Sequence, residues 1–167
     1  MKGYKAFYKG LINKNGLQFE EGKTYSVEGA AQYGPKGNGF HFCERLEDTL
    51  RYFCDEEDVE FTEVTALGDY AEYQDHYNGF YNMYSTNKLR IDRVLSREEV
   101  INMYLEMDGH NNPRLIRFIM LYPLTEEEIA LFKEKFINEK DVLDVIYYYQ
   151  DKKKDTFEKK YTKFIRF

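Results

Sequence analysis

Gly37-Asn38-Gly39-Phe40-His41-Phe42-Cys43, with the amphipathic run 44–54 behind it, is the stretch that decides how this chain is read. Gly37 and Gly39 free the backbone for a turn or a close approach. Phe40, His41 and Phe42 then alternate apolar and polar, the period of a half-buried strand. Leu46, Leu50 and Phe53 recur at i, i+4 and i+7, which predicts a helix over 45–54 laid on that strand. A Gly-rich entry, a strand and a helix in succession often build a pocket in an α+β domain.

Upstream, Tyr4-Lys5-Ala6-Phe7-Tyr8 predicts a first strand, and Asn13-Lys14-Asn15-Gly16 a turn. Residues 17–19 and 23–27 flank Glu20-Glu21-Gly22 as a hairpin, and 33–39 is a loop by composition. Downstream, 60–68 is the best strand of the chain, with Phe61, Val64 and Leu67 apolar and Thr62 and Thr65 adding β preference. Residues 88–95 alternate cleanly, pointing Leu89, Ile91 and Val94 inward. Between them 70–84, rich in Tyr, Asn and Asp, reads as an exposed loop or insertion. A small, mainly antiparallel sheet of 4–8, 40–43, 60–67 and 88–95 follows, with helix 45–54 on one face and Phe40, Phe42, Phe61 and Leu89 in the core.

The pattern then changes. Ser96-Arg97-Glu98-Glu99 and Thr125-Glu126-Glu127-Glu128 are capping boxes, each opening a helix. A short apolar helix over 114–122 ends at Pro123, and Val142, Val145, Ile146 and Tyr149 mark another. Phe157, Tyr161, Phe164 and Ile165 mark a last, basic one. The fold class is therefore α+β: a β-rich scaffold over 1–95 and a helical region over 96–167 packed on it, the two parts forming either two units or one domain.

Composition narrows the function. The 167 residues are 43% hydrophobic and 17% aromatic, carried by 16 Tyr and 13 Phe with no Trp, which is ample for a core. Tyr keeps a hydroxyl that needs a partner, so much of this aromatic surface belongs at core edges or interfaces. Met1-Lys2-Gly3-Tyr4-Lys5 has no apolar secretory core, and no apolar run reaches membrane-span length. A cytoplasmic protein without a membrane partner is expected. Cys43 and Cys54 lie at no zinc spacing, and His76 and His110 have no ligand partners in sequence, so no metal site is expected. The net charge of −6 is uneven: residues 44–75 carry twelve acids against two bases, and 152–166 carry seven bases against two acids.

Five ordered motifs resemble a small family of uncharacterised bacterial, phage and prophage proteins. They are Lys2-Gly3-Tyr4-Lys5-Ala6-Phe7, Gln18-Phe19-Glu20-Glu21-Gly22-Lys23-Thr24-Tyr25, Gly39-Phe40-His41-Phe42-Cys43, Phe61-Thr62-Glu63-Val64-Thr65-Ala66-Leu67-Gly68, and Lys88-Leu89-Arg90-Ile91-Asp92-Arg93-Val94-Leu95-Ser96. The resemblance covers about residues 1–100 and implies a mobile-element origin; it carries no catalytic set. In this chain Tyr33-Gly34-Pro35-Lys36 stands where family members have a shorter segment.

His41 is the residue whose reading matters most. Its side chain points away from Phe40 and Phe42, where a packed or solvated histidine and a ligand-binding one both fit. The order of strands also resembles the split architecture of ADP-ribosyltransferases, which implies that Tyr4 or Tyr8 with His41 and Glu63 would hold NAD and stabilise its transition state. The chain departs from that pattern, because 88–95 offers only Asp92 where a Glu motif is expected. No phosphate loop, nucleophile elbow or calcium loop is present. The first expectation is thus a non-enzymatic interaction protein that needs no cofactor and binds a host or defence-system protein. A nucleic-acid-binding effector inhibited by groove occupation, as by an anti-CRISPR protein, is one example. Asp55, Glu56, Glu57, Asp58, Tyr73, Tyr77, Tyr81 and Tyr84 would make the contact, since Tyr anchors and carboxylates suit a basic surface. The alternative is an NAD-binding enzyme built on Tyr8, His41 and Glu63. Direct nucleic-acid binding is not expected, because the C-terminal bases read as a solvated helix face. Tyr147, Tyr148 and Tyr149 are candidates for self-association as a homodimer.

Overall fold

The computed structural model describes residues 1–34, 37–53, 58–74 and 82–151. Seven strands form one antiparallel sheet: β1 (Lys2–Tyr8), β2 (Thr24–Ser26), β3 (Phe40–Cys43), β4 (Val59–Ala66), β5 (Tyr70–Gln74), β6 (Asn82–Thr86) and β7 (Lys88–Val94). Their order is β2-β7-β4-β1-β3-β6-β5. Among the described residues four α-helices follow, α1 (Arg97–Leu105), α2 (Pro113–Leu121), α3 (Glu126–Lys135) and α4 (Lys140–Ile146), so the fold is α+β. The chain divides into two compact units, one of residues 1–52 and 58–100, the other of 53–57 and 101–167.

Within the first unit the register sorts the side chains. Gly3 lies opposite Val64, Lys5 opposite Thr62 and Phe42 opposite Tyr84, which puts these on one face with Phe7. That face buries Phe7, Phe19, Phe42, Val64, Ala66, Leu89 and Ile91, with Phe40 and Tyr25 packed against them. It is covered by the segment between β1 and β2, pinned where Leu11 N–H donates to Glu60 (2.9 Å) and Val94 N–H to Glu21 (2.9 Å). Phe19 anchors that cover through rings of Phe7 and Tyr25 at 5.0 and 4.6 Å. The opposite face carries Ala6, His41, Cys43, Phe61 and Met83. A helix, Leu46–Tyr52, lies against β1 and β3 there, burying Leu46 and Leu50.

All four expected strands are present, and both capping boxes close. Glu99 N–H donates to Ser96 Oγ (3.2 Å) while Ser96 N–H donates to Glu99 (2.8 Å), and Thr125 and Glu128 exchange the same pair. Three expectations need correction. The helix over 45–54 is a 3₁₀ helix, because Asp48 N–H reaches back three residues to Arg45 and the apolar spacing serves either geometry. Residues 17–19 form no hairpin with 23–27; Gln18 makes an isolated bridge to Ile12, and β2 pairs with β7 instead. The stretch 70–84, read as a loop, contains β5 and β6, paired from Tyr70–Thr86 to Gln74–Asn82. Phe61 belongs to the core as expected, 1% exposed, on the face opposite Phe40, Phe42 and Leu89, so the sheet is buried on both sides.

The second unit is built on rings. Tyr104 stacks on Phe118 at 3.6 Å, and Phe118 reaches Tyr122 and Phe132 at 4.8 and 6.0 Å. Asn112 caps α2, its side chain accepting from Arg114 and Leu115 N–H, with Pro113 in the first turn. α4 runs into a π-helical turn, Tyr147–Asp151, whose Gln150 amide donates to the Ile119 and Tyr122 carbonyls. The basic segment with Phe157, Tyr161 and Phe164 lies outside the described residues.

Candidate functional site

His41 lies in a cluster of aromatic rings. The Tyr33 ring stacks on it at 4.6 Å and on Tyr73 at 4.5 Å, and the Tyr52 ring is 6.4 Å from it. The Tyr33 and Tyr52 hydroxyls meet at 2.9 Å, and each contacts Met83 Sδ, at 3.3 and 3.0 Å. Burial raises both phenol pKa values, so neither serves as a phenolate at neutral pH. His41 is half-buried, and its pKa is lowered first by burial and then by the Lys5 charge, leaving a neutral imidazole near pH 7. Gly39, at the entry to β3, must be glycine: its φ is +123° and the Thr86 carbonyl oxygen lies 2.6 Å from where a Cβ would stand.

Lys5 is the feature that sequence reasoning missed. It lies on the central strand, on the face of Phe7, with its ammonium 5.2 Å from that ring and donating to the His41 carbonyl at 2.7 Å. Burial brings its pKa down to about 8. No carboxylate among the described residues pairs with it. Cys43 behind it is fully buried, and burial, with Asp48 next, pushes the thiol up to about 12, so it is an inert thiol.

Tyr8, His41 and Glu63 all project from one face of the sheet. They do not converge. Tyr8 pairs with Val59, four residues from Glu63 along β4, about 13 Å at strand rise. Tyr4, not Tyr8, stands opposite Glu63. The Glu63 carboxylate takes a two-pronged contact from Arg93, at 3.0 and 2.8 Å, and the same guanidinium holds Glu99 at 2.7 Å. These bonds raise the Arg93 pKa, with Glu63 first, and Glu99 is held low by Ser96 and Arg93.

The partner-contact residues fall in three places. Asp55, Glu56, Glu57, Tyr77 and Tyr81 lie outside the described residues. Asp58 is exposed, in a loose 3.5 Å pair with Lys9 worth little at a surface. Tyr84 is a core residue, 7% exposed and stacked on Phe42 at 5.4 Å, because the two-residue period of β6 turns it inward. Tyr73 is 43% exposed and Tyr70, which sequence reading passed over, 56%. Tyr70 meets Tyr84 edge-on at 6.0 Å. Glu72 and Glu44 are exposed beside them, and both raise the Tyr84 pKa after burial itself. In the second unit Tyr147 and Tyr148 are 55% and 46% exposed, and Tyr149 is half-buried with its ring 5.0 Å from Tyr148.

Among the described residues no group of three His, Cys, Asp or Glu could hold a metal ion, and no helix is long and apolar enough to cross a membrane. No curated protein matches the chain, and no solved structure does. Residues 1–103, the whole sheet with the start of α1, match a domain of unknown function, DUF7666, and the chain belongs to that family.

Proposed function

We propose that this is a non-enzymatic interaction protein of mobile-element origin, binding a basic surface of a host or defence-system protein. The observation that carries the reading is β5. Tyr70 and Tyr73 stand 56% and 43% exposed on its two faces, each backed by another ring, with Glu72 and Glu44 on the side of Tyr70. A ring fixed from behind loses little freedom on binding, and carboxylates around it steer a cationic partner. A nucleic-acid-binding effector presents such a surface in its groove, so inhibition by occupation is the expected activity. The mobile-element origin rests on the five motifs described above.

The test is affinity capture from host lysate, followed by titration of the purified partner against salt. Tyr70→Ser with Tyr73→Ser should weaken binding about tenfold or more, and Glu72→Gln should flatten the salt dependence. Absence of a stoichiometric partner, or an affinity indifferent to these changes, would overturn the reading. A second reading, an NAD-binding transferase, draws on the common face of Tyr8, His41 and Glu63, although the three stand apart on it. In the helical unit, exposed Tyr147 and Tyr148 support self-association.

A further inference from the structure

We propose that the outer edge of β5 receives an extended, alternately basic and apolar segment of the partner, which adds to the sheet as an eighth strand. The inference rests on the interaction reading above and gives that contact its geometry and chemistry.

Among the described residues the sheet is open, with β2 and β5 as its two outer strands. Proteins blunt such edges with brevity, charged side chains (lysine above all), proline or a bulge. β2 is blunted by length, having three residues, and the chain leaves it with Val27 bonded to the Asn87 carbonyl. Of these devices β5 carries a single acid, Glu72. Its five residues, Tyr70-Ala71-Glu72-Tyr73-Gln74, contain no lysine or proline, and its pairing with β6 runs without a register shift. The pairing of β4 with β7, by contrast, shifts between Glu63 and Val64. In an antiparallel strand alternate residues turn their N–H and C=O groups away from the neighbour, so half of the β5 backbone faces outward.

The side chains choose the occupant. Tyr70 and Glu72 stand on one face of the strand and Ala71 and Tyr73 on the other. A second copy of the chain, paired antiparallel over all five residues, would set Glu72 directly opposite its own counterpart. Like charges so placed destabilise a sheet. A strand with Arg or Lys at every second position instead puts cations on the face of Tyr70 and Glu72, where carboxylate and ring both attract them. Its intervening apolar residues then lie along Ala71 and the exposed ring of Tyr73. Main-chain bonds supply affinity and the alternation supplies specificity.

The experiment uses the full chain and two labelled peptides of sequence Val-Arg-Val-Arg-Val-Arg-Val. One has an ordinary backbone; the other has an N-methyl group at every amide, which keeps charge and side chains and removes strand pairing. Fluorescence anisotropy should show the ordinary peptide bound about tenfold or more tightly than its methylated twin, with hydrogen exchange in β5 slowed only by the first. Equal binding of the two overturns strand addition and leaves the acidic-surface reading standing. No binding of either also overturns it, and the interaction reading is then judged by its own captured partner. Because both arms use the unaltered protein, neither depends on a variant that folds.

Discussion

Lysine is a costly residue to place on the central strand of a sheet, and Lys5→Met measures that cost. The side chain stands beside Phe7 with one hydrogen bond, to the His41 carbonyl, and no described carboxylate partner. Its pKa falls from 10.5 to about 8 through burial. At ~1.4 kcal/mol per pH unit that difference amounts to on the order of 3 kcal/mol. The side chain is half-buried rather than sealed, so solvent contact trims the figure to about 2 kcal/mol. The sign follows from proton counting: between pH 8 and 10.5 the unfolded chain holds the Lys5 proton and the folded chain has released it. Folding is therefore penalised in full below pH 8, and the penalty fades as pH rises through that window. Met keeps the stem and removes the charge, so at pH 7 the variant should be about 2 kcal/mol more stable than the parent. The gap should close by pH 10.5. Urea unfolding of both proteins across that range gives the difference directly, and the titrating tyrosines cancel in it. Two curves separated by a constant amount, or a variant less stable at pH 7, would refute the burial argument.

Three further outcomes are expected. Gly39→Ala must place a Cβ 2.6 Å from the Thr86 carbonyl oxygen at a φ of +123°, costing about 3 kcal/mol, which a thermal melt reads. NAD at millimolar concentration should give no heat in calorimetry if the interaction reading holds; saturable heat lost in His41→Ala would instead establish the NAD-binding alternative. Sedimentation of the full chain should show a dimer that Tyr147→Ser with Tyr148→Ser converts to monomer, and a monomer in both removes self-association.

Where a strand is half-buried and made of unlike residues, its alternation was readable; β4 and β7 are of this kind, and both capping boxes were equally plain. β5 and β6 were invisible for a physical reason. Tyr70 and Tyr73 put exposed rings on opposite faces of β5 while Tyr84 is a buried one, so period two leaves no trace when Tyr stands on either face. The 3₁₀ helix was read as α because Leu46 and Leu50 satisfy either winding over so short a run. At the candidate site, the position of His41 on the face opposite Phe40 and Phe42 followed from alternation. Its neighbours did not. Tyr33 arrives from a loop and Tyr52 from a helix, and only tertiary closure brings their hydroxyls together on Met83. Lys5 carries no signal in the sequence, since nothing local announces that both sides of β1 will be occupied.

The place of β1 between β4 and β3 bears on how the chain emerges from the ribosome. Tyr4 finds its first neighbour only when Cys43 has been made, and its second only with Glu63. At ~5–20 residues per second, the earliest strand made spends several seconds with at least one open flank. Phe7 and its neighbouring rings are in the tunnel or in solvent for that interval, and Leu11 and Phe19, of the same core cluster, are the first residues able to shield them. The segment between β1 and β2 thus serves the nascent strand as a temporary cover before it serves the finished sheet as a permanent one.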